Sequence, residues 1–340
     1  MTKKTFSLIG AGRMGQNHLQ VALNLGMEIS AIYDVSIRSL ENISLPLPSS
    51  TLLTNDFDQF IEQPTPDITA IATTAPSHSG LIEATAKAGR KVLICEKPLA
   101  TSISELSQIT KLVDDYGLKI AVNHQMRFMD QYRLVKKFQQ KHKLGELCTM
   151  SVNGANFGLG MNATHYIEAF HWLDNTEISR VSGRVKRQAQ PNVRGKEFYD
   201  YAGFALIESE SGALLFIDFQ EKLGHQVLVV YNFEFGKIVV NELIGTLSVD
   251  CRLEEDLNQE TFRYGLPGRH FEFNVKPAEL IDSTAELYTQ LLFGTDYPTH
   301  LDGARTVRTA IAAIHSTMNN GSAISPMDPM LGTIDGLSWP

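Results

Sequence analysis

The sequence predicts an α/β domain followed by an α+β domain. The first is a doubly wound parallel sheet over residues 1–122, and the second carries a large, mainly antiparallel sheet over 123–300. Two observations lead there. Residues 5–122 alternate short β-rich runs with helix-periodic stretches, the pattern of a parallel sheet covered by helices on both faces. Beyond about residue 145 the β-rich runs follow one another directly, separated by turn formers, as antiparallel neighbours do. A closing helix at about 301–319 is expected to complete the first domain, and 320–340 reads as a C-terminal arm.

In the first domain the strand-like runs are 5–10, 28–34, 67–74, 91–96 and 119–125. Helical periodicity fills 13–25, 78–88 and 102–116. Runs such as Leu93-Ile94-Cys95 are apolar throughout, as strands buried on both faces must be. In the second domain the runs are 146–155, 178–188, 201–208, 213–220, 226–232, 237–241 and 246–250. Ser211-Gly212, Leu223-Gly224, Phe235-Gly236 and Gly245 mark turns between several of them. One helix is expected at 163–173, and two more at 277–293 and 301–319, the last stopped by Gly321.

Of the 340 residues, 43% are hydrophobic and 20% charged, so the chain can bury two cores and is not a disordered one. With 30 basic and 38 acidic side chains the formal charge is −8, which argues against nucleic acid or an anionic membrane as partner. Cys95, Cys148 and Cys251 are odd in number and far apart, without a CxxC pair. They are expected to be reduced thiols rather than a disulfide framework or a zinc site. The apolar run after Lys3-Lys4 ends at Gly10, too short for a signal peptide, and no run approaches a membrane span of ~18 residues. A soluble, cytoplasmic protein is the expectation.

Gly10-Ala11-Gly12-Arg13-Met14-Gly15 is G-x-G-x-x-G placed directly after a strand and directly before a helix. Gly10 allows the tight turn, Gly12 lets the backbone approach a pyrophosphate, and Gly15 lets helix and strand pack closely. The pyrophosphate would sit at the helix N-terminus, among the backbone groups around Arg13 and Met14, where free N–H groups favour an anion. The next strand ends at Asp34, nineteen residues beyond Gly15. A carboxylate there accepts from both ribose hydroxyls of NAD and repels a 2′-phosphate, whereas nearby Arg38 hints at tolerance of NADP. The reading is a Rossmann dinucleotide-binding domain for NAD, with NADP open.

Cys95-Glu96-Lys97-Pro98-Leu99 follows another strand of this sheet, so Lys97 should face the cofactor cleft. With the preceding Ala88–Ile94 segment, with Ala72-Thr73-Thr74-Ala75-Pro76-Ser77-His78, with Arg127-Phe128 and with Asp302-Gly303-Ala304-Arg305, the chain resembles the Gfo/Idh/MocA family over nearly its whole length. That family is named after glucose–fructose oxidoreductase and inositol dehydrogenase. The Glu-Lys-Pro element is its more specific signature, since the glycine motif is shared by many enzymes.

The resemblance implies roles. Lys97 would hydrogen-bond the reacting hydroxyl and assist proton transfer, its pKa lowered by a positive neighbour or by burial. The Lys97–Pro98 peptide would be cis. Thr73, Thr74 and His78 would pass beside the nicotinamide ribose, and Glu96 would contact the cofactor or hold the loop. Relatives often carry Asp-x-x-x-His on the first helix of the second domain. Here His165 fills the histidine position but Met161 stands at the aspartate. A thioether takes no proton, so acid–base work would fall on His165 with Lys97, while Asn162 would hydrogen-bond a substrate hydroxyl. His124, where many relatives have tyrosine, and Arg127 stand at the hinge as candidate substrate contacts, a structural reading of His124 being equally open. The antiparallel sheet would mediate a homo-oligomer, a dimer or tetramer.

His165, Glu168 and His171 do not make a zinc site. Histidines six apart on a helix point ~240° from each other, so no metal is expected. Phe170 and Trp172 read as core, and Arg194, Lys196 and Tyr199 in the 187–201 loop as a substrate mouth. The leading function is NAD(P)-dependent hydride transfer at a secondary alcohol of a sugar, cyclitol or sugar derivative. The alternatives are a redox-neutral sugar-modifying enzyme with tightly bound NAD, and a non-catalytic redox-sensing module, against which Lys97 counts.

Overall fold

The computed structural model describes residues 3–154, 156–189, 192, 195–259, 268–277, 279–334 and 336–339. The chain divides into two compact units. One is Met1–Gln125 with Leu280–Val307 and Gly332–Pro340, the other Met126–Glu279 with Arg308–Leu331.

In the first unit the strands are β1 (Thr5–Ile9), β2 (Glu28–Tyr33), β3 (Leu52–Thr54), β4 (Ile68–Ile71), β5 (Val92–Cys95) and β6 (Lys119–Val122). Among the described residues they form one parallel sheet in the order β3-β2-β1-β4-β5-β6. The helices are α1 (Arg13–Asn24), α2 (Ile37–Glu41), α3 (Phe57–Ile61), α4 (His78–Lys87) and α5 (Ile103–Tyr116). β4 is buried at every position, as expected of a strand with helices on both faces. The order reverses between β1 and β4, and at such a switch point the carboxyl ends of the strands open a crevice for a ligand. Local signals set the helix ends: Ser102 accepts from the Glu105 N–H to start α5, and Gly117 at φ +63° stops it. β3, α2 and α3 were not expected, because runs of three to five residues carry no readable period.

The second unit begins with α6 (Asp130–Lys141), whose buried Tyr132, Val135 and Phe138 lie among lysines and glutamines too polar to announce a helix. Then come β7 (Leu147–Asn153), a π-turn at Leu159–Ala163, α7 (Thr164–Asp174), β8 (Ile178–Arg187), β9 (Tyr201–Ser209), β10 (Leu214–Asp218), β11 (Leu228–Phe233), β12 (Gly236–Asn241), β13 (Thr246–Arg252) and β14 (Gly268–Asn274). Among the described residues these strands form a sheet in the order β14-β13-β12-β11-β7-β10-β9-β8. Every pair is antiparallel except β7 with β10. Burial alternates along β10, β11 and β13, so one face is packed and the other open. The polar edge strand β14 was not expected from its sequence.

The closing helices are α8 (Leu280–Phe293) and α9 (His300–Met318). Sequence placed 280–300 in the second domain, but α8 packs on α1 and belongs to the first unit. Apolar periodicity announces a helix without saying which core it joins. The chain passes from the first unit to the second within α9, after Val307. In the second unit the Ser316 Oγ accepts from the Gly183 N–H at 2.9 Å, and Ile324 bridges to Val181. The expected arm is not loose: residues 332–340 belong to the first unit, the Leu337 N–H donates to the Thr101 carbonyl at 3.0 Å, and Trp339 is fully buried. No helix among the described residues is long and apolar enough to cross a membrane.

Replacing Trp339 with alanine empties one of the largest enclosed side-chain sites, so stability should fall by ~3–5 kcal/mol. Urea unfolding of the variant checks this, and a curve superposing on the parent's would show the tail to be dispensable.

Candidate active site

The glycine turn is built by close backbone approach. Gly10 has φ +95°, and a Cβ there would stand 2.8 Å from the Ala72 carbonyl oxygen at the end of β4. A Cβ on Gly15 would fall 1.9 Å from the Gly10 carbonyl oxygen, so only glycine lets α1 press against the turn. A Cβ on Gly12 would meet nothing within 4 Å. The space beside Gly12 is therefore open, at the N-cap of a helix with no side-chain cap and no acidic residue in its first turn. The N–H groups around Arg13 and Met14, with the positive end of the helix dipole, suit an anion.

Asp34, at the tip of β2, ties this turn to the next loop. Its Oδ2 accepts from the Ala11 N–H at 2.7 Å and its Oδ1 from the Ser36 N–H at 2.8 Å. Each oxygen keeps a further lone pair for a ligand hydroxyl. Arg38 is exposed on α2.

After β4, the Thr73 and Ser77 hydroxyls are 2.7 Å apart, and the Ser77 hydroxyl donates to the Thr74 carbonyl at 2.8 Å. His78 is fully buried, with Nδ1 2.9 Å from the Pro98 carbonyl and Nε2 3.2 Å from the Thr73 carbonyl. Burial pushes its pKa down, against the pull of those two carbonyls. The neutral ring carries one N–H, so His78 donates to one of these carbonyls and packs between the turn after β4 and the loop after β5.

The Lys97–Pro98 peptide is cis, and Lys97 is half-buried just past the carboxyl end of β5. Its neighbour Glu96 is buried, with Oε1 accepting from His18 Nε2–H at 2.9 Å and from Asn123 Nδ2–H at 2.7 Å. Burial alone would push this carboxyl up. The hydrogen bonds and charge of His18, the Asn123 bond and the Lys97 ammonium outweigh it and lower the pKa to about 2. His124, also in this unit, is fully buried with Nε2 3.5 Å from the Thr306 hydroxyl.

In the second unit His165 is buried in the first turn of α7, Asn162 is exposed, and the Met161 sulfur is 3.8 Å from Asn192 Nδ2. Arg127, expected at the substrate, is buried and ion-paired through Nε and Nη2 to Glu168, with its guanidinium beside the Trp172 ring. That geometry holds the segment after β6 to α7. Phe170 is fully buried. In the 187–201 loop Lys196 is exposed, Arg187 lies 3.4 Å over the centre of the Tyr199 ring, and Arg194 falls outside the described residues.

Residues 4–124 match the family described as oxidoreductase family, NAD-binding Rossmann fold. An inositol 2-dehydrogenase of Arthrobacter sp. (strain FB24) is 25% identical over 249 residues, covering 69% of this chain and 72% of its own. Among solved structures, an oxidoreductase from Agrobacterium radiobacter in complex with NAD+, L-tartaric acid and magnesium superposes with TM-score 0.77. It shares 17% identity over 96% of this chain and 99% of its own. A levoglucosan dehydrogenase in complex with NADH and levoglucosan gives TM-score 0.73, 17% identity, and 96% and 100% coverage. At these identities the structural likeness speaks for the fold.

Sequence reading missed His18 and Tyr288, whose partners lie far off in the chain, and it missed Asp200. The Asp200 carboxylate is fully buried and accepts from the N–H groups of Gly160, Met161 and Tyr201, each at 2.8 Å. It anchors the π-turn that leads into α7, and Gly158 at φ +76° leaves it room. Nothing in sequence marks an aspartate forty residues away as the cap of this turn. In Asp200→Ala the buried Gly160 N–H and the partly buried Met161 N–H of that turn lose a charged acceptor, so stability should drop by ~2–4 kcal/mol. Hydrogen exchange should quicken over residues 159–163, and unchanged protection there would assign the anchoring elsewhere.

Proposed function

We infer that this chain, a member of the Gfo/Idh/MocA oxidoreductases, transfers hydride between NAD and a secondary alcohol of a sugar, cyclitol or sugar derivative. The observation that carries this reading is Lys97 at the carboxyl end of β5, in the same sheet whose switch point presents the glycine turn. The relatives support the substrate class: one is an inositol dehydrogenase, another a dehydrogenase solved with levoglucosan.

The residues present fit the cofactor. The uncapped start of α1 and the open space at Gly12 suit a pyrophosphate, with Arg13 and Met14 supplying backbone there. Asp34 suits the adenosine ribose, with the spare acceptor capacity of both oxygens. Thr73 and Thr74 line the turn on the next strand. When bound, the nicotinamide accepts or gives the hydride.

Lys97 then acts as an ammonium. It donates a hydrogen bond to the reacting oxygen and steadies the negative charge that grows there during oxidation. With Glu96 ionised beside it, Lys97 is a donor, and His165, a group whose ordinary range lies near neutrality, would take the proton of the alcohol in oxidation and return it in reduction. Asn162 hydrogen-bonds a substrate hydroxyl. The open face of the second unit's sheet, where Phe204 and Leu206 are exposed, is where copies of the chain would meet as a homo-oligomer.

A screen of free sugars, cyclitols and sugar acids with NAD, read as NADH absorbance, tests the reaction. Lys97→Ala and His165→Ala should each lower turnover by ~10²–10⁴-fold, and near-parental rates in either would remove that residue from the chemistry. For the cofactor, calorimetric titration should find NADH bound more tightly than NADPH. Asp34→Ser should close most of that gap, since each hydrogen bond to a carboxylate contributes ~1.5–3 kcal/mol. Equal binding of both cofactors by the parent would refute the assignment of Asp34.

A further inference from the structure

Four side chains far apart in sequence converge inside the first unit. The Tyr288 hydroxyl, on α8, is 2.9 Å from His18 Nδ1 on α1. His18 Nε2 is 2.9 Å from Glu96 Oε1, and Asn123 Nδ2 reaches the same oxygen at 2.7 Å. An ionised carboxylate only accepts, so Nε2 carries a proton, and in the neutral ring the Tyr288 hydroxyl donates to Nδ1. Tyr288, His18 and Asn123 are fully enclosed and Glu96 nearly so.

A buried charge is an expensive way to join a helix to a sheet, since apolar groups of the same volume hold such a joint as well or better. The chain of bonds is also a poor conductor of protons. It ends at Tyr288, buried against Phe6 with ring centres 6.0 Å apart. What remains is the placing of a fixed negative charge one residue before Lys97.

The titratable groups facing Glu96 are His18 from α1 with Tyr288 behind it, Lys97 and Cys95 on either side in the chain, and His78 from α4. Burial keeps the Cys95 thiol and the Tyr288 phenol protonated and disfavours the charged form of His78. Among these groups, the ones that act on the Glu96 carboxylate are His18, through its hydrogen bond, and the neighbouring Lys97.

We propose that His18, braced by Tyr288, is a positioning residue for the reaction at Lys97. It fixes Glu96 as a carboxylate, and that charge keeps Lys97 an ammonium able to donate to the substrate oxygen. This rests on the reading of Lys97 given above, and it assigns to Glu96 a task other than touching the cofactor.

Competitive labelling tests it without turnover. Trace acetic anhydride is reacted with the full-length protein across the lysine range, ~pH 8–11, and the acetylated Lys97 peptide is quantified by mass spectrometry. In Glu96→Gln the titration midpoint of Lys97 should fall by about one pH unit or more. His18→Asn, whose amide is too short to reach Glu96, should lower it as well, whereas His18→Gln, which restores a donor at that reach, should return it toward the parent. A Lys97 midpoint unmoved in Glu96→Gln overturns the proposal. So does one that falls in Glu96→Gln and stays at the parental value in His18→Asn.

Coupling between two sites is reciprocal, so the folded Glu96→Gln protein reads the same link if His18→Asn does not fold. In nitrogen-15 spectra of labelled histidine the titration of His18 should then move down, and an unmoved His18 overturns the proposal. Parental turnover in Lys97→Ala would end the part given to Lys97 in the reaction and leave the labelling result standing. An inactive Lys97→Ala with an unmoved midpoint would refute only the parts given to His18 and Glu96.

Discussion

At the carboxyl ends of β1 and β4 three stretches of backbone come closer than side chains allow. Gly10 lies against the Ala72 carbonyl, and Gly15 in α1 lies against the Gly10 carbonyl. This contact aims the first turn of α1 into the crevice where the strand order reverses. It also exposes N–H groups that no side chain of the protein caps. A methyl group on Gly15 would push helix and turn apart and tilt the helix away from the crevice. Asp34 depends on the same arrangement, because its bond to the Ala11 N–H spans the glycine turn. The anion-binding end of the helix and the carboxylate suited to a ribose are thus two consequences of one packing constraint.

A second constraint is electrostatic. Glu96, His18, Asn123 and Tyr288 bring α1, α8 and the ends of β5 and β6 to one buried oxygen. The loop after β5 is held from its other side by His78, which reaches the Pro98 carbonyl. Lys97 therefore stands on a segment tied down at the residue before it and the residue after it. Two fixed neighbours limit the conformations open to its long, flexible side chain.

What sequence could and could not show follows from the range of the interactions. The glycine turn, the strand after it and the Glu-Lys-Pro segment are local patterns, and each lies in the structure where its spacing puts it. Elements of three to five residues, such as β3 and α2, have no period to read. The joining of α8 to the first unit, the burial of Trp339 in a tail that looks like a mobile arm, and the parallel pairing of β7 with β10 are long-range facts. For the site the division is the same. The conformation of the glycine turn was legible, whereas the partners of Glu96, the cap made by Asp200 and the pairing of Arg127 with Glu168 were not. Arg127 was expected at the substrate from its place after β6 and its likeness to the family, yet its charge is used inside the fold.

The departure at Met161 has a physical reading in the same terms. Asp200 reaches the backbone N–H groups of Gly160 and Met161 with its two oxygens, so a buried negative charge already lies against the first turns leading into α7. A carboxylate at position 161 would bring a second negative charge to the turn that Asp200 already caps, and nearby like charges resist joint ionisation. A thioether there avoids the conflict and leaves the turn to Asp200.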